Sequence, residues 1–497
     1  EASLRRFGHY DYWDDTVMKS LLVDSGADIL TYGMGENILR RIAELLNKNV
    51  PVNKIRDVRG TVWLGEKDDK IHFEVGGSWD FEKISSDKRE YAKAFALQYK
   101  NQDSISGKAL VEYYGEKMLV QNPPMPPLTR EELDEVYALP YMRDYHFSYK
   151  AQGGVPAIEE VKFSLTHNRG CFGGCNFCAL AFHQGRSVRS RSIESVVTEA
   201  KLLTEMEDFK GYINDVGGPT ANFREPACDK QLKSGVCKDK KCLAATPCKN
   251  LKADHSEYIE LLSEIERLPG VKKVFIRSGI RFDYLLADKS PSGNAFFKKL
   301  VKDHVSGQLK VAPEHCSEIY DFFFEIILFF LLFFHYIIFC FFKRKRTYEK
   351  FRNRYFELTK SFNKEQYLVP YLMSSHPGSK LQDAIKLSEF IRKWNYNPEQ
   401  VQDFYPTPGT ASTVMFYTGL DPFTLNEVYV PRSAEEKRMQ RALLQCKDPK
   451  NADLVRKALR IAHREDLIGN TKNCLVAPSY KDRVEQARQQ AAAAGIK

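Results

Sequence analysis

The sequence predicts an α/β protein built around an open, partial barrel of six strand–helix units. Two observations predict this fold. Six short apolar segments in the middle of the chain end in Gly, His or Pro, and helical periodicity follows each of them. Strands that alternate with helices pair in parallel, and six units fall short of the eight that close a full barrel. At 497 residues the chain is too long for one core, so we expect further domains beside the barrel.

The six predicted strands end in polar residues. The segments are VKFSLTHNRG (161–170), GYINDVGGPT (211–220), KKVFIRSGI (272–280), GQLKVAPEH (307–315), QYLVPYLMSSHPGS (366–379) and EQVQDFYPTPGT (399–410). The carboxyl ends of barrel strands form the functional face. The candidate site residues at these ends are therefore Asp215, Ser278, Arg281, Glu314, His315 and His376. For each of them a hydrogen-bonded structural role stays open.

The flanking segments predict two further domains. ADILTYGMGE (27–36) is typical of a buried strand that ends at glycines, and NILRRIAELLNK (37–48) of the helix after it. This pattern predicts the closing part of a Rossmann-like domain whose start we expect to be missing, since the chain opens in mid-domain. The proline-rich QNPPMPPLT (121–129) predicts a linker, and charged helical sequence follows residue 425. We place the domains at 1–130, 150–420 and 421–497.

Three cysteines stand within eight positions in CFGGCNFC (171–178), directly after the first predicted barrel strand. Thiolates are soft ligands, and Cys171, Cys175 and Cys178 on one tight loop can hold three irons of a 4Fe-4S cluster and leave the fourth open. Zinc would want a fourth protein ligand, for which His167 and His183 are candidates. The loop's glycines let the backbone wrap around a cluster.

A second group of cysteines lies in the lysine-rich loop after the second strand, with His255 nearby. Its members are Cys228, Cys237, Cys242 and Cys248. An auxiliary iron–sulfur cluster, a structural zinc ion and unligated thiols all stay open, because the irregular spacing matches no compact zinc motif.

Composition bears on the binding partners of the chain and on its cellular compartment. A net charge of +9 over this length is weak support for RNA binding, although Arg186, Arg189 and Arg191 could contact an anionic substrate or form a solvated helix start. Bunched cysteines in a large charged chain are typical of thiols kept reduced for metal. We therefore expect a reducing compartment, either the cytoplasm or the interior of an organelle.

A Phe-rich stretch (321–346) interrupts the fourth strand–helix unit. Residues 326–342 approach the length of a membrane span, but the stretch lies between two strands of one barrel and is nearly all Phe, Ile, Leu and Tyr. We interpret it as translated non-coding sequence; membrane or lipid contact and a buried helix stay open as alternatives.

Several motifs together resemble the YgiQ family of radical S-adenosylmethionine (SAM) proteins. They are NRGCFGGCNFCALAFHQGR, DVGGPTANF, IRSGIRFDY, GQLKVAPEH, YLVPYLMSSHPGS and VQDFYPTPGTASTVMFYTG. The resemblance covers nearly the whole chain and departs at 320–346. It implies a 4Fe-4S cluster on the three cysteines, with SAM bound at the open iron and cleaved to a 5'-deoxyadenosyl radical that attacks an unknown substrate.

The resemblance also implies roles for strand-end residues and for partners. Gly217 and Gly218 would bind SAM at the second strand, Ser278 and Arg281 at the third, and Glu314 at the fourth. A flavodoxin- or ferredoxin-like protein would donate electrons. A cobalamin-dependent variant stays open, although the chain has no Asp-x-His-x-x-Gly motif. The alternatives are a non-catalytic iron–sulfur electron carrier or scaffold, with membrane association through 326–342 open, and an RNA-binding zinc protein.

Overall fold

The fold is described from a computed structural model, which covers residues 2–244, 246–314, 333–394 and 396–493. Side chains at 313–345 and at several positions after 484 lie outside this description. The chain divides into two compact units. Unit 1 comprises Glu1–Ala312, Phe324–Val369 and Pro406–Asn426, and unit 2 comprises Pro313–Phe323, Pro370–Tyr405 and Glu427–Lys497. Both helices and strands occur in each unit, so the protein is mixed α/β.

The N-terminal part of unit 1 is a five-stranded sheet beside a short hairpin. The hairpin is β1 (His9–Asp11) with β2 (Thr16–Met18). The sheet strands are β3 (Ile29–Thr31), β4 (Thr61–Glu66), β5 (Val75–Asp80), β6 (Ala109–Tyr114) and β7 (Lys117–Gln121), in the order β3-β4-β7-β6-β5. The helices are α1 (Leu21–Ser25), α2 (Glu36–Asn47), α3 (Phe81–Ser86) and α4 (Lys88–Lys100).

This sheet differs from the Rossmann-like expectation. Only β5 and β6 pair in parallel, whereas β3–β4, β4–β7 and β6–β7 are antiparallel. A Rossmann-like domain needs parallel strands joined by crossover helices. Here β6 and β7 are joined by two residues, with Gly115 at φ 61°, and so short a connection permits only an antiparallel hairpin.

The middle of the chain alternates strands and helices. Each of the six segments predicted as strands includes at least one strand in the structure. These are β8 (Ser164–Thr166), β11 (Tyr212–Ile213) with β12 (Asp215–Gly217), β13 (Lys273–Val274), β14 (Gln308–Glu314), β15 (Tyr367–Ser374) and β16 (Gln402–Asp403). Within unit 1 the pairs β12–β8 and β11–β13 are parallel, and a parallel bridge joins Ile280 to Val311. Successive strands therefore lie side by side in the order of the sequence.

Amphipathic helices connect these strands. Helix α8 (Ile193–Thr204) begins where the Ser192 hydroxyl accepts from the Ser195 N–H, and it buries Val196, Ala200 and Leu203. The other helices of unit 1 are α5 (Arg130–Tyr137), α6 (Ile158–Val161), α7 (Leu180–His183), α9 (Asp229–Ser234), α10 (Ser256–Glu266), α11 (Phe282–Ala287), α12 (Pro291–Lys299), α13 (Phe333–Ser361) and α15 (Ala411–Thr418). A short antiparallel pair, β9 (Asn168–Arg169) and β10 (Arg189–Ser190), flanks the cysteine loop.

Unit 2 is held by a helical core. Helices α14 (Leu381–Lys393), α16 (Ala434–Leu444) and α17 (Ala452–Ile461) bury Ile385, Leu443, Val455 and Leu459 against one another. The end of β15 pairs in parallel with β16, and α18 (Tyr480–Ala493) follows at the C-terminal end.

The Phe-rich stretch falls largely outside the described residues, which resume with α13 at Phe333. The interpretation of 321–346 as translated non-coding sequence stays a prediction. Among the helices that the structure describes, none combines the length and the apolar composition needed to cross a membrane.

Candidate active site at the carboxyl ends of the first three strands

The cysteine loop (171–178) turns back on itself directly after β9. Gly170 adopts φ 80°, and a Cβ there would lie 3.1 Å from the carbonyl carbon of Ser187 and closer still to its oxygen. The Cys171 N–H donates to the Gly185 carbonyl at 3.1 Å, and the Cys178 N–H to the Cys175 carbonyl at 3.2 Å. The backbone thus fixes the loop independently of any ligand on the thiols.

Hydrogen-bond donors surround the thiols of this loop. The Gly173 N–H and the Thr220 hydroxyl each lie 3.4 Å from Cys171 Sγ, and the Arg281 guanidinium lies 3.5 Å from Cys175 Sγ. All three cysteines are half-buried. Donors and a cation close to sulfur stabilise thiolates, the form that binds metal. These contacts therefore favour the thiolate form of Cys171 and Cys175.

The zinc alternative finds no support at His167, because both of its ring nitrogens already have partners. His167 is fully buried, with Nε2 2.8 Å from the Ala221 carbonyl and Nδ1 3.3 Å from the Arg224 guanidinium. Burial, helped by the charge of Arg224, lowers its pKa well below the usual value. Across the described part of the chain, no three His, Cys, Asp or Glu side chains converge at the distances of a single metal ion.

The ends of the second and third strands pack tightly beside the cysteine loop. Asp215 accepts from the backbone N–H groups of Arg277 and Ser278 at 2.8 and 3.1 Å, and from the Ser278 hydroxyl. A Cβ on Gly217 would lie 2.5 Å from Asp215 Oδ2, well inside the 3.0 Å that real Cβ atoms keep. Glycine at 217 is thus what lets these two strand ends approach.

A buried polar network supports the loop that carries Arg281. The Arg281 N–H donates to Asn222 Oδ1 at 2.9 Å, and Asn222 Nδ2 lies 3.1 Å from His255 Nε2. His255 Nδ1 in turn donates to Asp288 at 2.7 Å. Burial would raise the pKa of Asp288, but hydrogen bonds from His255 and Ser290 outweigh it and lower the value to about 2. His255 therefore holds the third strand end and is not bonded to the second cysteine group.

An aromatic wall joins the cysteine loop to the loop of the second cysteine group. Phe172 is fully buried, stacks on Phe223 at a ring distance of 3.8 Å and meets Tyr284 edge-on. Cys171 and Cys242 both pack against this one apolar cluster. One cysteine of each group thus contacts the same apolar cluster.

In the second cysteine loop, Cys242 is the thiol whose pKa is shifted most clearly. Burial raises the pKa of the Cys242 thiol to about 11; Arg186 opposes the shift, and the charges of Cys228, Cys248 and Cys237 add to it. The Cys248 N–H donates to the Cys242 carbonyl at 3.0 Å. Arg186 anchors the loop through the carbonyls of Cys237 and Lys240, both at 3.0 Å. All four cysteines of this loop are half-buried, and Cys242 lies near enough to the other three to feel their charges.

The predicted strand-end residues do not all meet. The structure brings Arg281 against the cysteine loop, packs Gly217 against Ser278, and places Gly218 against Asn168 of β9, which precedes the loop. Glu314 ends β14, but its side chain and all of His315 lie outside the described residues. His376 belongs to unit 2, where it is buried with Nδ1 2.6 Å from the Pro377 carbonyl.

Two arginines that could have been solvated are buried instead. Arg191 pairs with Glu199 and donates to the Thr166 carbonyl at 3.0 Å, while Arg186 anchors the second cysteine loop. The interpretation of this segment as a solvated helix start is therefore wrong at both positions. Sequence reasoning also missed Thr220 and Asn222, although both follow the GGP turn, where hydroxyl and amide side chains are common binding groups.

The chain matches known protein families and curated sequences over most of its length. The family described as "Radical SAM N-terminal" matches residues 1–164, and a domain of unknown function, DUF3362, matches residues 399–496. A UPF0313 protein of Clostridium perfringens (strain 13 / Type A) is 55% identical over 476 residues, which cover 96% of this chain and 69% of that protein. A UPF0313 protein of Clostridium botulinum (strain 657 / Type Ba4) is 54% identical over 479 residues, covering 96% and 71%.

Solved structures show only a distant likeness. The radical SAM methyltransferase TsrM from Kitasatospora setae, with cobalamin and a [4Fe-4S] cluster bound, matches with a TM-score of 0.40 and 11% identity, over 80% of this chain and 55% of that one. The cobalamin-dependent SAM radical enzyme OxsB also gives 0.40 and 11%, over 95% and 52%. Family membership therefore rests on the clostridial relatives: the chain belongs to the UPF0313 family, the YgiQ-type family that its motifs resemble, and residues 1–164 match the radical SAM N-terminal domain.

Proposed function

We propose that the chain binds a 4Fe-4S cluster through Cys171, Cys175 and Cys178 and cleaves SAM reductively to attack an unidentified substrate. The contact between Arg281 and Cys175 carries this proposal, because it brings the third strand end against the cysteine loop. When bound, the cluster supplies the electron that breaks a C–S bond of SAM and yields a 5'-deoxyadenosyl radical. We further propose that the parallel strands of unit 1 belong to a partial (βα)6 barrel around this site.

The donor set fits such a cluster. Three soft thiols on one loop are the ligands that iron–sulfur clusters take, and three leave one iron for SAM. Gly173 N–H and Arg281 would hold the sulfur charge in place of water.

The strand-end residues divide into contact and positioning roles. Gly217 and Gly218 present backbone without a side chain, so SAM can approach closely there. Asp215 already accepts three hydrogen bonds from the third strand end, so we assign it to positioning. Ser278 donates its hydroxyl to Asp215, and Arg281 donates Nε and Nη2 to Asp283 while its Nη1 lies near Cys175. Both residues stay proposed contacts for SAM at the third strand. Glu314 stays a proposed contact at the fourth strand.

Cleavage of SAM by the anaerobically reconstituted full chain tests this function. With a strong reductant or a reduced flavodoxin- or ferredoxin-like donor, we expect 5'-deoxyadenosine, measured by liquid chromatography with mass spectrometry, and none without reductant. Reversible reduction of the cluster without binding or cleavage of SAM would instead identify an electron carrier.

We also propose a second iron–sulfur cluster on Cys228, Cys237, Cys242 and Cys248. Cys242 lies near the other three cysteines, whose charges help to raise its pKa, and it packs against the apolar cluster that contains Phe172 and Phe223. Iron–sulfur clusters accept four thiolates, and their potential depends on such burial.

Metal counting tests the second cluster. We expect about eight irons per chain and no zinc in the reconstituted protein, and about four irons in a Cys242→Ala variant, since each 4Fe-4S cluster contributes four. Cys474→Ala is the matched control, because this buried thiol lies in unit 2, and it should keep about eight. About four irons in the unaltered chain would contradict the proposal, and one zinc per chain would replace it with a structural zinc site.

A further inference from the structure

The loop that carries the second cysteine group holds much of the chain's positive charge. Residues 228–252 contain seven lysines and two aspartates, a net charge of +5, whereas the whole chain of 497 residues carries +9. More than half of the net charge therefore lies in this one loop. Six of the lysines are exposed, and we call them the lysine surface: Lys230, Lys233, Lys238, Lys240, Lys249 and Lys252.

Neighbouring carboxylates neutralise little of this charge. Lys252 pairs with Asp229 at 2.7 Å, but the two side chains are 62% and 65% exposed, and ion pairs so open to water are weak. Within the described part of the chain, the other five lysines of the surface form no ion pair with a carboxylate. The lysine surface therefore presents positive charge to solvent, and such a field attracts acidic partners.

The backbone beneath the lysine surface is fixed by buried polar side chains. Arg186 donates to the carbonyls of Cys237 and Lys240, both at 3.0 Å. Asp103 accepts from the Val236 N–H at 3.1 Å. All of these residues belong to unit 1. A loop that is already ordered loses little conformational entropy when a partner binds to it.

The lysine surface borders the thiols of the second cysteine group. Lys230 Nζ lies 3.6 Å from Cys237 Sγ, and all four cysteines of the group are half-buried. Lys241, which is next to Cys242, donates to Asn176 of the first cysteine loop at 2.9 Å. The second cysteine group thus adjoins the lysine surface and, through Lys241, the first cysteine loop.

We propose that the lysine surface docks an acidic protein that carries single electrons. The proposal rests on the second cluster of the proposed function. The docked protein gives up one electron, which a cluster on the second cysteine group accepts and the cluster on the first loop then receives; no proton or leaving group moves. Thiols beside the lysines favour such a redox partner over nucleic acid, which needs the charge alone. Leu232, 47% exposed on α9, adds the apolar contact that small redox interfaces also use.

Binding of oxidised flavodoxin, an acidic flavoprotein, to the reconstituted full chain tests the surface without SAM cleavage. The triple variant Lys233→Glu, Lys238→Glu and Lys249→Glu should slow association about tenfold or more, measured by surface plasmon resonance. Raising the ionic strength from about 0.1 to about 1 M shortens the range of charges from about 10 to about 3 Å, so it should slow association with the unaltered chain as well. With excess dithionite the variant should cleave SAM like the unaltered chain.

The matched control makes the same charge change elsewhere in unit 1. Lys48→Glu, Lys54→Glu and Lys70→Glu alter three exposed lysines of the N-terminal part and should leave association unchanged. Equal slowing in both triple variants, undiminished association in the first, or tighter binding of single-stranded RNA than of flavodoxin would overturn the proposal. Should the first variant not fold, the unaltered chain decides, because association that does not depend on salt overturns it too.

The docking surface and the proposed function can fail separately. An unaltered chain that binds flavodoxin but does not cleave SAM with dithionite would contradict the proposed function and leave the docking surface in place. About four irons per chain would contradict the second cluster, and with it the route of the electron, even where docking holds.

Discussion

Replacing Cys175 with alanine is expected to abolish SAM cleavage and to remove about four irons per chain, while the second cysteine group keeps its own. Cys175 is the middle one of the three proposed ligands and the one that Arg281 contacts. With two thiols left, the cluster loses one of three attachments, and the guanidinium faces no sulfur charge. Production of 5'-deoxyadenosine under reducing, anaerobic conditions should fall at least about a thousandfold, a loss of about 4 kcal/mol.

The control for this variant is Cys446→Ala. The Cys446 thiol is half-buried against the helical core of unit 2 and belongs to neither proposed cluster. It should keep the iron content and the rate of the unaltered chain. Cleavage at an undiminished rate by the Cys175 variant would contradict the assignment of the loop. Loss of all iron from that variant would instead mean that the second cluster depends on the first through their shared aromatic wall.

Local signals made part of this architecture predictable. Each of the six middle strands is an apolar run that ends at a glycine, histidine or proline, and their existence needed no knowledge of distant partners. The same holds for the cysteine loop, because the spacing of its three cysteines is enough to single them out as candidate ligands. The hairpin of β6 and β7 also had a local signal, the two-residue Gly115–Glu116 connection, and overlooking it led to the Rossmann-like expectation.

Contacts between side chains that lie far apart in the sequence could not be predicted. His255 lies close in sequence to Cys248 but bonds to Asp288 and Asn222, so proximity along the chain misdirected its interpretation. Thr220 contacts Cys171 although the two residues are 49 positions apart, and no periodic pattern in the sequence predicts this contact. Arg186 resembles a solvated charge in sequence, yet the carbonyls of the second cysteine loop bury it. Polar residues with distant partners are thus the part that the structure adds.

Replacing Gly217 with alanine should weaken SAM binding by at least about tenfold and lower the melting temperature. A Cβ at this position would lie 2.5 Å from Asp215 Oδ2, 2.7 Å from Ser278 Cβ and closer still to Ser278 Oγ. Asp215 cannot swing away without giving up its hydrogen bonds to the Arg277 and Ser278 N–H groups. The strand ends must separate, which displaces the proposed SAM surface.

Gly279→Ala is the matched control, because it adds the same methyl group one residue after Ser278, where a Cβ would meet nothing within 4 Å. Equilibrium dialysis of SAM against the reduced, cluster-loaded proteins, with thermal unfolding in parallel, separates the two possible roles of Gly217. Weaker SAM binding at 217 but not at 279 supports a SAM contact at the second strand end. A lower melting temperature with unchanged SAM affinity would restrict Gly217 to packing and leave the SAM site to Arg281 and the neighbouring backbone of Gly218.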